Sequence, residues 1–244
     1  MRLAKAWTVT AKDFKTFTKR RTIVYYLIWF ELIVSIAMPL IVRFAERRSK
    51  DPAVVLPRVI SAFSLWFFIG AAVLPVSIAS YSLVGEKVQK SLEPLLAAPV
   101  SDDDILVGKG LAALLPTLVA TYCGTVVLMI LIDLFSVGRL GYRNYPNWTI
   151  GVILLLLVPL AALFSVGFNV LISARTNDVR SAQQLGSLPI IPLAGLYVLT
   201  EIGVITLSVT NLLVVAAVLA AADVVTIAAA LRAFRRDAIL TSWR

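Results

Sequence analysis

Glu31, Asp133 and Asp223 are carboxylates set inside long apolar runs, where their chemistry has to be accounted for. A carboxylate in lipid costs at least about 2.5–3.5 kcal/mol, so each should face protein or water. Asp133 lies close to the end of its run, where hydration would suffice. Glu31, near the middle of the first run, and Asp223, within the last, are candidates for a substrate or ion route, or for a polar contact between helices or subunits. Both could equally be protonated and inert. A second constellation stands in a polar setting. From Gly85 it runs through Glu86, Lys87, Lys90, Leu92, Glu93, Leu95 and Leu96, and on through Pro99-Val100-Ser101 to Gly108-Lys109. A bare connector needs only a few polar residues, whereas this stretch alternates charge with leucine and has the make-up of a docking surface for a soluble partner.

Other chemistry is ruled out. The chain has no histidine, which excludes triads, zinc sites with His ligands and haem ligation through His. Its single Cys123 allows no intrachain disulfide and reads as a small apolar filler. No catalytic or metal-ligating constellation is found. Gly108-Lys109 is followed by Gly110, no G-x-x-x-x-G-K-[ST] exists, and no soluble segment is large enough to be an ATPase. Energy for any work done here would have to enter through another polypeptide.

The elements that must position these groups follow from composition. With 59% hydrophobic residues and 15% charged in 244 residues, and a mean hydropathy of +0.90, the chain is not a water-soluble domain. A spanning helix needs about 20 mostly apolar residues, and six such runs lie near 22–42, 59–82, 105–134, 149–173, 184–201 and 210–231. An open sheet would leave its edge groups unpaired in lipid, and the alternation of a membrane barrel is absent. The expectation is therefore an all-α integral membrane protein with six transmembrane helices. Of its 23 lysines and arginines, all but Arg43, Arg47, Arg48, Lys50, Arg58, Arg139 and Arg143 fall on the side shared by both termini. The positive-inside rule puts that side in the cytoplasm. The formal charge of +9 thus reflects orientation and contact with anionic lipid, and no nucleic-acid footprint is expected.

Residues 1–21 precede the spans. Leu3, Ala6, Trp7, Thr10, Phe14 and Phe17 share one arc of roughly 100° on a helix, with Lys5, Lys12, Lys15 and Lys19 opposite. That is an N-terminal amphipathic helix lying in the interface plane as an elbow. Residues 22–231 form the six-span domain, and 232–244 a basic cytoplasmic tail. A charged sequence after the first run and its length argue against a cleaved signal peptide. Tyr25, Tyr26 and Trp29 mark one interface, and Tyr142, Tyr145 and Trp148 the other. Ser101 with Asp104 has the S-x-x-D form that caps a helix start. A polar loop is expected over 173–184, and a short re-entrant segment between the fifth and sixth spans. Ala161, Ser165 and Asn169 make a small-xxx-small row able to pack closely on another helix.

The docking stretch resembles that of permease subunits of ABC exporters of the type-2 family, whose pattern is close to E-K-x-x-G-T-L-E-x-L-L-x-x-P-V-S followed by Ile or Leu and G-K. Glu86, Lys87, Ser91, Leu92, Glu93, Leu95, Leu96, Pro99, Val100, Ser101, Ile105, Leu106, Gly108 and Lys109 fit it; Lys90 stands where the family has glycine. The basic amphipathic start, the six spans, Ala182-Gln183-Gln184 before a proline-bearing fifth span and the basic tail fit the same layout. The resemblance implies a cytoplasmic coupling helix over about 84–98, between spans two and three, seated in a groove of a separate ABC ATP-binding subunit. Glu86, Lys87, Leu92, Glu93, Leu95 and Leu96 would make that contact, with the leucines as its apolar face and the charges setting register and partner choice. It further implies two permease copies, usually identical, two ATPases carrying ATP and Mg, no cofactor bound by this chain itself, outward movement of substrate and the cell membrane of a prokaryote. An intramembrane lipid phosphatase or protease would need polar residues clustered at one depth, and none are found. A non-transporting scaffold or sensor that docks a cytoplasmic partner through the 84–98 helix is the alternative.

Overall fold

The computed structural model of the chain describes residues 3–48, 51–88 and 100–233, except for a few side chains that include Glu86 and Lys87. Among the described residues, six helices are long and apolar enough to cross a membrane: Arg21–Arg48, Val55–Ser82, Asp102–Gly138, Trp148–Arg175, Val179–Glu201 and Val209–Ala233. They overlap the six apolar runs one for one, and the protein is an all-α, multi-pass membrane protein.

Helix α1 (Leu3–Thr18) is followed by α2 (Arg21–Arg48), α3 (Pro52–Val88) and α4 (Asp102–Leu140). The last two have 37 and 39 residues, and at 1.5 Å per residue each is well over the about 30 Å of a hydrocarbon core. Both therefore project beyond the bilayer, the second as well as the expected third. The fourth span is α5 (Trp148–Val152), a π-helical turn over Ile153–Leu157 and α6 (Val158–Arg175). That turn ends two residues before Pro159, which has no N–H to give the ladder, and the hydroxyl of Tyr122 donates to the Leu154 carbonyl at 3.0 Å.

The fifth span is broken. Helices α7 (Val179–Gly186) and α8 (Ile190–Glu201) are joined by a turn at 187–189, where Pro189 stands. The polar loop expected over 173–184 is much shorter than that: helix α6 runs to Arg175 and α7 begins at Val179. Its start is fixed by Asp178, whose carboxylate accepts from the Ser181 N–H at 2.8 Å and from the Ser181 hydroxyl at 3.0 Å. Between α8 and α9 (Val209–Ala233), where a re-entrant segment was expected, residues 202–208 form an irregular turn. Gly203 sits there with φ 78°, a conformation that favours glycine, and Ile202 and Val204 stay exposed.

Helix α3 lies at the centre of the bundle, with Leu65, Phe67, Phe68, Ala71, Ala72 and Leu74 buried. Helix α6 packs against it through the expected small row. Ala161, Ser165 and Asn169 are all buried, and the Ser165 hydroxyl donates to the Ala72 carbonyl at 2.6 Å. One turn on, Asn169 accepts from Ser80 at 2.8 Å and donates to the Gly186 carbonyl at 3.0 Å. A Cβ on Gly186 would lie 1.9 Å from the Asn169 Oδ1, so only glycine admits α7 this close. Away from α1, Asp133 is not merely hydrated. Its Oδ1 accepts from the N–H groups of Asn144 at 2.9 Å and Tyr145 at 3.2 Å, folding the connector back on α4. Tyr142 and Trp148 are exposed as interfacial rings should be, whereas Tyr145 turns inward and meets Ser64 at 2.7 Å.

Candidate functional site

Helix α1 docks on α4, and its buried face is rotated from the arc expected. Ala6, Val9, Thr10, Asp13 and Phe17 face the bundle, while Trp7 and Phe14 stand on the exposed side. The rotation follows from what α4 offers. A Cβ on Gly108 would lie 2.7 Å from the Ala6 carbonyl oxygen and 2.7 Å from the Val9 Cβ. The two backbones meet there, and the Thr10 hydroxyl donates to the Gly108 carbonyl at 3.0 Å.

One turn deeper along α1, Asp13 is buried on the same face. Lys109, only 1% exposed, donates from Nζ to Asp13 Oδ2 at 3.1 Å, to the Ser82 carbonyl at 3.0 Å and to Ser82 Oγ at 3.3 Å. Ser82 Oγ in turn donates to Asp13 Oδ2 at 2.8 Å. A buried charge pair is tolerable when it is both paired and hydrogen-bonded, and this one meets both conditions. It ties three helices together at the elbow end: α1 through Asp13, α3 through Ser82 and α4 through Lys109. A second tie is Arg20, whose guanidinium lies 3.9 Å from the centre of the Tyr81 ring.

This bracket adjoins the stretch expected to meet a partner, with Lys109 at its far end. Helix α3 ends at Val88 and α4 starts at Asp102, capped by Ser101, whose hydroxyl accepts from the Asp104 N–H at 3.2 Å. The expected S-x-x-D cap is thus present. Of the residues expected to contact a partner, Glu86 and Lys87 fall on the last turns of α3, with their side chains outside the description. Leu92, Glu93, Leu95 and Leu96 lie outside the described residues altogether, as does most of the segment 84–98. Sequence reasoning missed the bracket itself. Lys109 was read as the end of the charged docking stretch and its G-K pattern, and Asp13 drew no notice. The signal was an aspartate at helical spacing from Ala6, Thr10 and Phe17 on an otherwise uncharged face.

The two embedded carboxylates are buried, and in different places. Glu31 is 3% exposed where α2 meets α3 and α4. Its Oε1 accepts from the Thr121 hydroxyl at 3.0 Å, while its Oε2 has no hydrogen-bond partner among the described residues. Two glycines leave it room: a Cβ on Gly70 would stand 3.2 Å from Oε1, and one on Gly124 3.0 Å from Oε2. The Ser35 hydroxyl donates to the Gly124 carbonyl at 2.8 Å beside it. A notch of about 150 Å³ opens next to this group between α2 and α4, and no residue of α9 lines it. Asp223 belongs instead to the buried stripe of α9, with Leu212, Ala216, Leu219, Thr226 and Ala230. Neither of its carboxylate oxygens has a hydrogen-bond partner among the described residues. The structure therefore does not bring Glu31 and Asp223 into one site.

Set against known proteins, the chain matches the family model described as ABC-2 family transporter protein over residues 7–213. No curated protein matches it. The matched region runs from α1 into the last span, taking in the bracket, the segment 84–98 and Glu31. With the family matched over most of its length and six helices able to span a membrane among the described residues, the chain belongs to the ABC-2 family of transporter permeases.

Proposed function

We propose that this chain is the membrane subunit of an ATP-driven exporter. ATP with Mg is bound and hydrolysed in a separate ABC ATP-binding subunit, present in two copies against a homodimer of the permease. Membership of the family over residues 7–213 is the observation that carries this reading. The basic residues concentrated on the side of the termini support a cytoplasmic elbow and docking stretch in a prokaryotic cell membrane.

The coupling segment is 84–98, with Glu86, Lys87, Leu92, Glu93, Leu95 and Leu96 meeting the ATPase. The leucines fill an apolar groove, and the charges select the partner and its register. Closure of the two ATPases pushes the ends of α3 and α4, and the Asp13–Ser82–Lys109 bracket makes those ends and the elbow move as one body. Such rigid-body rocking of packed helices is how a local push becomes a change of access. Glu31 lines the substrate route, and Asp223 serves the contact of α9 with α6. The test is copurification with the ATP-binding subunit encoded beside this chain. The parent should retain it, and a double substitution Glu93→Arg with Leu96→Asp should lose it at unchanged expression. Equal retention by both would overturn the assignment of the docking segment.

A further inference from the structure

A cavity of about 440 Å³ opens where the start of α2 faces α3 and α7, and its walls include Arg20, Thr22, Tyr26, Ser77, Tyr81 and Gln183. We propose that it binds a phosphomonoester group. The volume lies within the range of about 300–1,000 Å³ found for ligand pockets, and much of the wall is polar. Arg20, Tyr26, Ser77, Tyr81 and Gln183 are half-buried and Thr22 is exposed, so none of them is sealed into the bundle.

Charge decides the class. The Arg20 guanidinium lies over the Tyr81 ring, 3.9 Å from its centre, a contact that holds the cation without consuming its N–H donors. Among the described residues, no carboxylate lines the cavity or pairs with Arg20. The hydroxyls of Thr22, Tyr26 and Ser77 and the side-chain amide of Gln183 make no hydrogen bond among the described residues either. Helix α2, with 28 residues, sets the positive end of its dipole beside them. An unpaired cation and idle donors on three helices call for an anion with several oxygens. A carboxylate offers two oxygens in one plane, which the guanidinium edge satisfies by itself; a phosphate keeps further oxygens for the hydroxyls and the amide. Depth bears on the source. Tyr25 and Trp29 are exposed rings of an interfacial belt, and Thr22 to Tyr26 covers only about 6 Å of helix at 1.5 Å per residue. The cavity is thus at head-group level, where a phosphate arrives on a lipid or on a water-soluble molecule.

Binding here is independent of the exporter reading, and failure of either leaves the other standing. The test uses the 244-residue chain in phosphatidylcholine discs without nucleotide. In one arm phosphatidic acid is added to the discs and retained lipid is counted by native mass spectrometry, with diacylglycerol and palmitate as controls. In the other, glycerol phosphate is titrated by calorimetry, with glycerol as control. Phosphatidic acid held in preference to both lipid controls supports the site with a lipid source, and heat from glycerol phosphate alone supports it with a soluble one. Arg20→Gln should weaken the binding at least about tenfold, the lower end for a hydrogen bond to a charged group. Arg21→Gln removes the same charge from the exposed neighbouring position and should cost a few-fold at most. Ser77→Ala with Gln183→Leu leaves the Arg20–Tyr81 contact in place and should also weaken binding, whether or not Arg20→Gln folds. The proposal is overturned by no phosphate preference in either arm, by palmitate held as well as phosphatidic acid, or by no loss in the Ser77 and Gln183 pair. Equal losses from Arg20→Gln and Arg21→Gln would also overturn it, since a diffuse basic surface would then account for the binding.

Discussion

Replacing Lys109 by methionine should destabilise the protein by about 3–5 kcal/mol, the cost of breaking a buried ion pair from one side. The magnitude follows from what is left behind. Methionine keeps most of the stem volume, so little packing is lost. Asp13, 4% exposed, would keep the Ser82 hydroxyl at 2.8 Å but lose the ammonium at 3.1 Å, leaving a buried carboxylate without its countercharge. Replacing both members by apolar groups of similar volume is often neutral or stabilising. Asp13→Leu combined with Lys109→Met should therefore recover most of the loss, to within about 1 kcal/mol. The assay is denaturation of the purified protein in detergent, followed as loss of the monodisperse size-exclusion peak with rising temperature, for the parent, both single variants and the double. If Lys109→Met is as stable as the parent, or the double variant is no better than the single, the bracket does not hold the elbow end together and the reasoning fails.

Gly108→Val should lift α1 off α4, because a Cβ there meets the Ala6 carbonyl oxygen at 2.7 Å; a loss of about 1–3 kcal/mol is expected for such overpacking, with faster proteolysis within residues 3–18. Burial of the Tyr145 phenol pushes its pKa up to about 12, a rise the Ser64 hydrogen bond opposes and Asp133 adds to. Because the folded value is raised, the neutral phenol stabilises fully below the unfolded value of about 10 and the stability falls by about 1.4 kcal/mol per pH unit from there to about 12. Alkaline denaturation should show this slope in the parent, and Tyr145→Phe should remove it. Asp178 behaves with the opposite sign: the N–H of Ser181, then its hydroxyl, hold the carboxyl below its usual range. The cap on α7 is present above the unfolded carboxyl value and lost as pH falls through the lowered one, so protection of the Ser181 amide, its exchange rate relative to the intrinsic rate at the same pH, should fall only in acid, and Asp178→Ala should make that protection low and independent of pH.

Much of the fold was legible because lipid demands long apolar runs, and nothing else in the chain produces them. The same logic found the Ser101 cap and the Ala161–Ser165–Asn169 row, both of which are local patterns with one physical meaning. What escaped notice depends on partners far apart in the chain. Lys109 was read with the docking stretch because its partner Asp13 is 96 residues away. Asp133 looked hydrated because its donors are backbone N–H groups of a connector, which carry no mark in the sequence. The face of α1 was misjudged for a related reason: Trp7 and Phe14 dominate an apolar arc, but Gly108 admits the smaller Ala6 and Val9 against α4. The fifth span was placed too late in the chain because Arg180, Gln183 and Gln184 are polar, yet they continue the helix capped by Asp178. Glu31 and Asp223 were found as buried carboxylates, but periodicity alone could not separate them into two sites.

The central claim is that a partner ATPase drives these spans through the segment 84–98. Its most direct measurement is ATPase activity in vesicles of this chain co-expressed with the neighbouring ATP-binding subunit, screened against a panel of cationic, neutral and anionic candidate substrates. The account predicts stimulation by at least one compound, abolished by Glu93→Arg with Leu96→Asp while expression is unchanged. An activity indifferent to every compound, and the same in parent and double variant, would contradict it and bring forward a scaffold that docks its partner without transport.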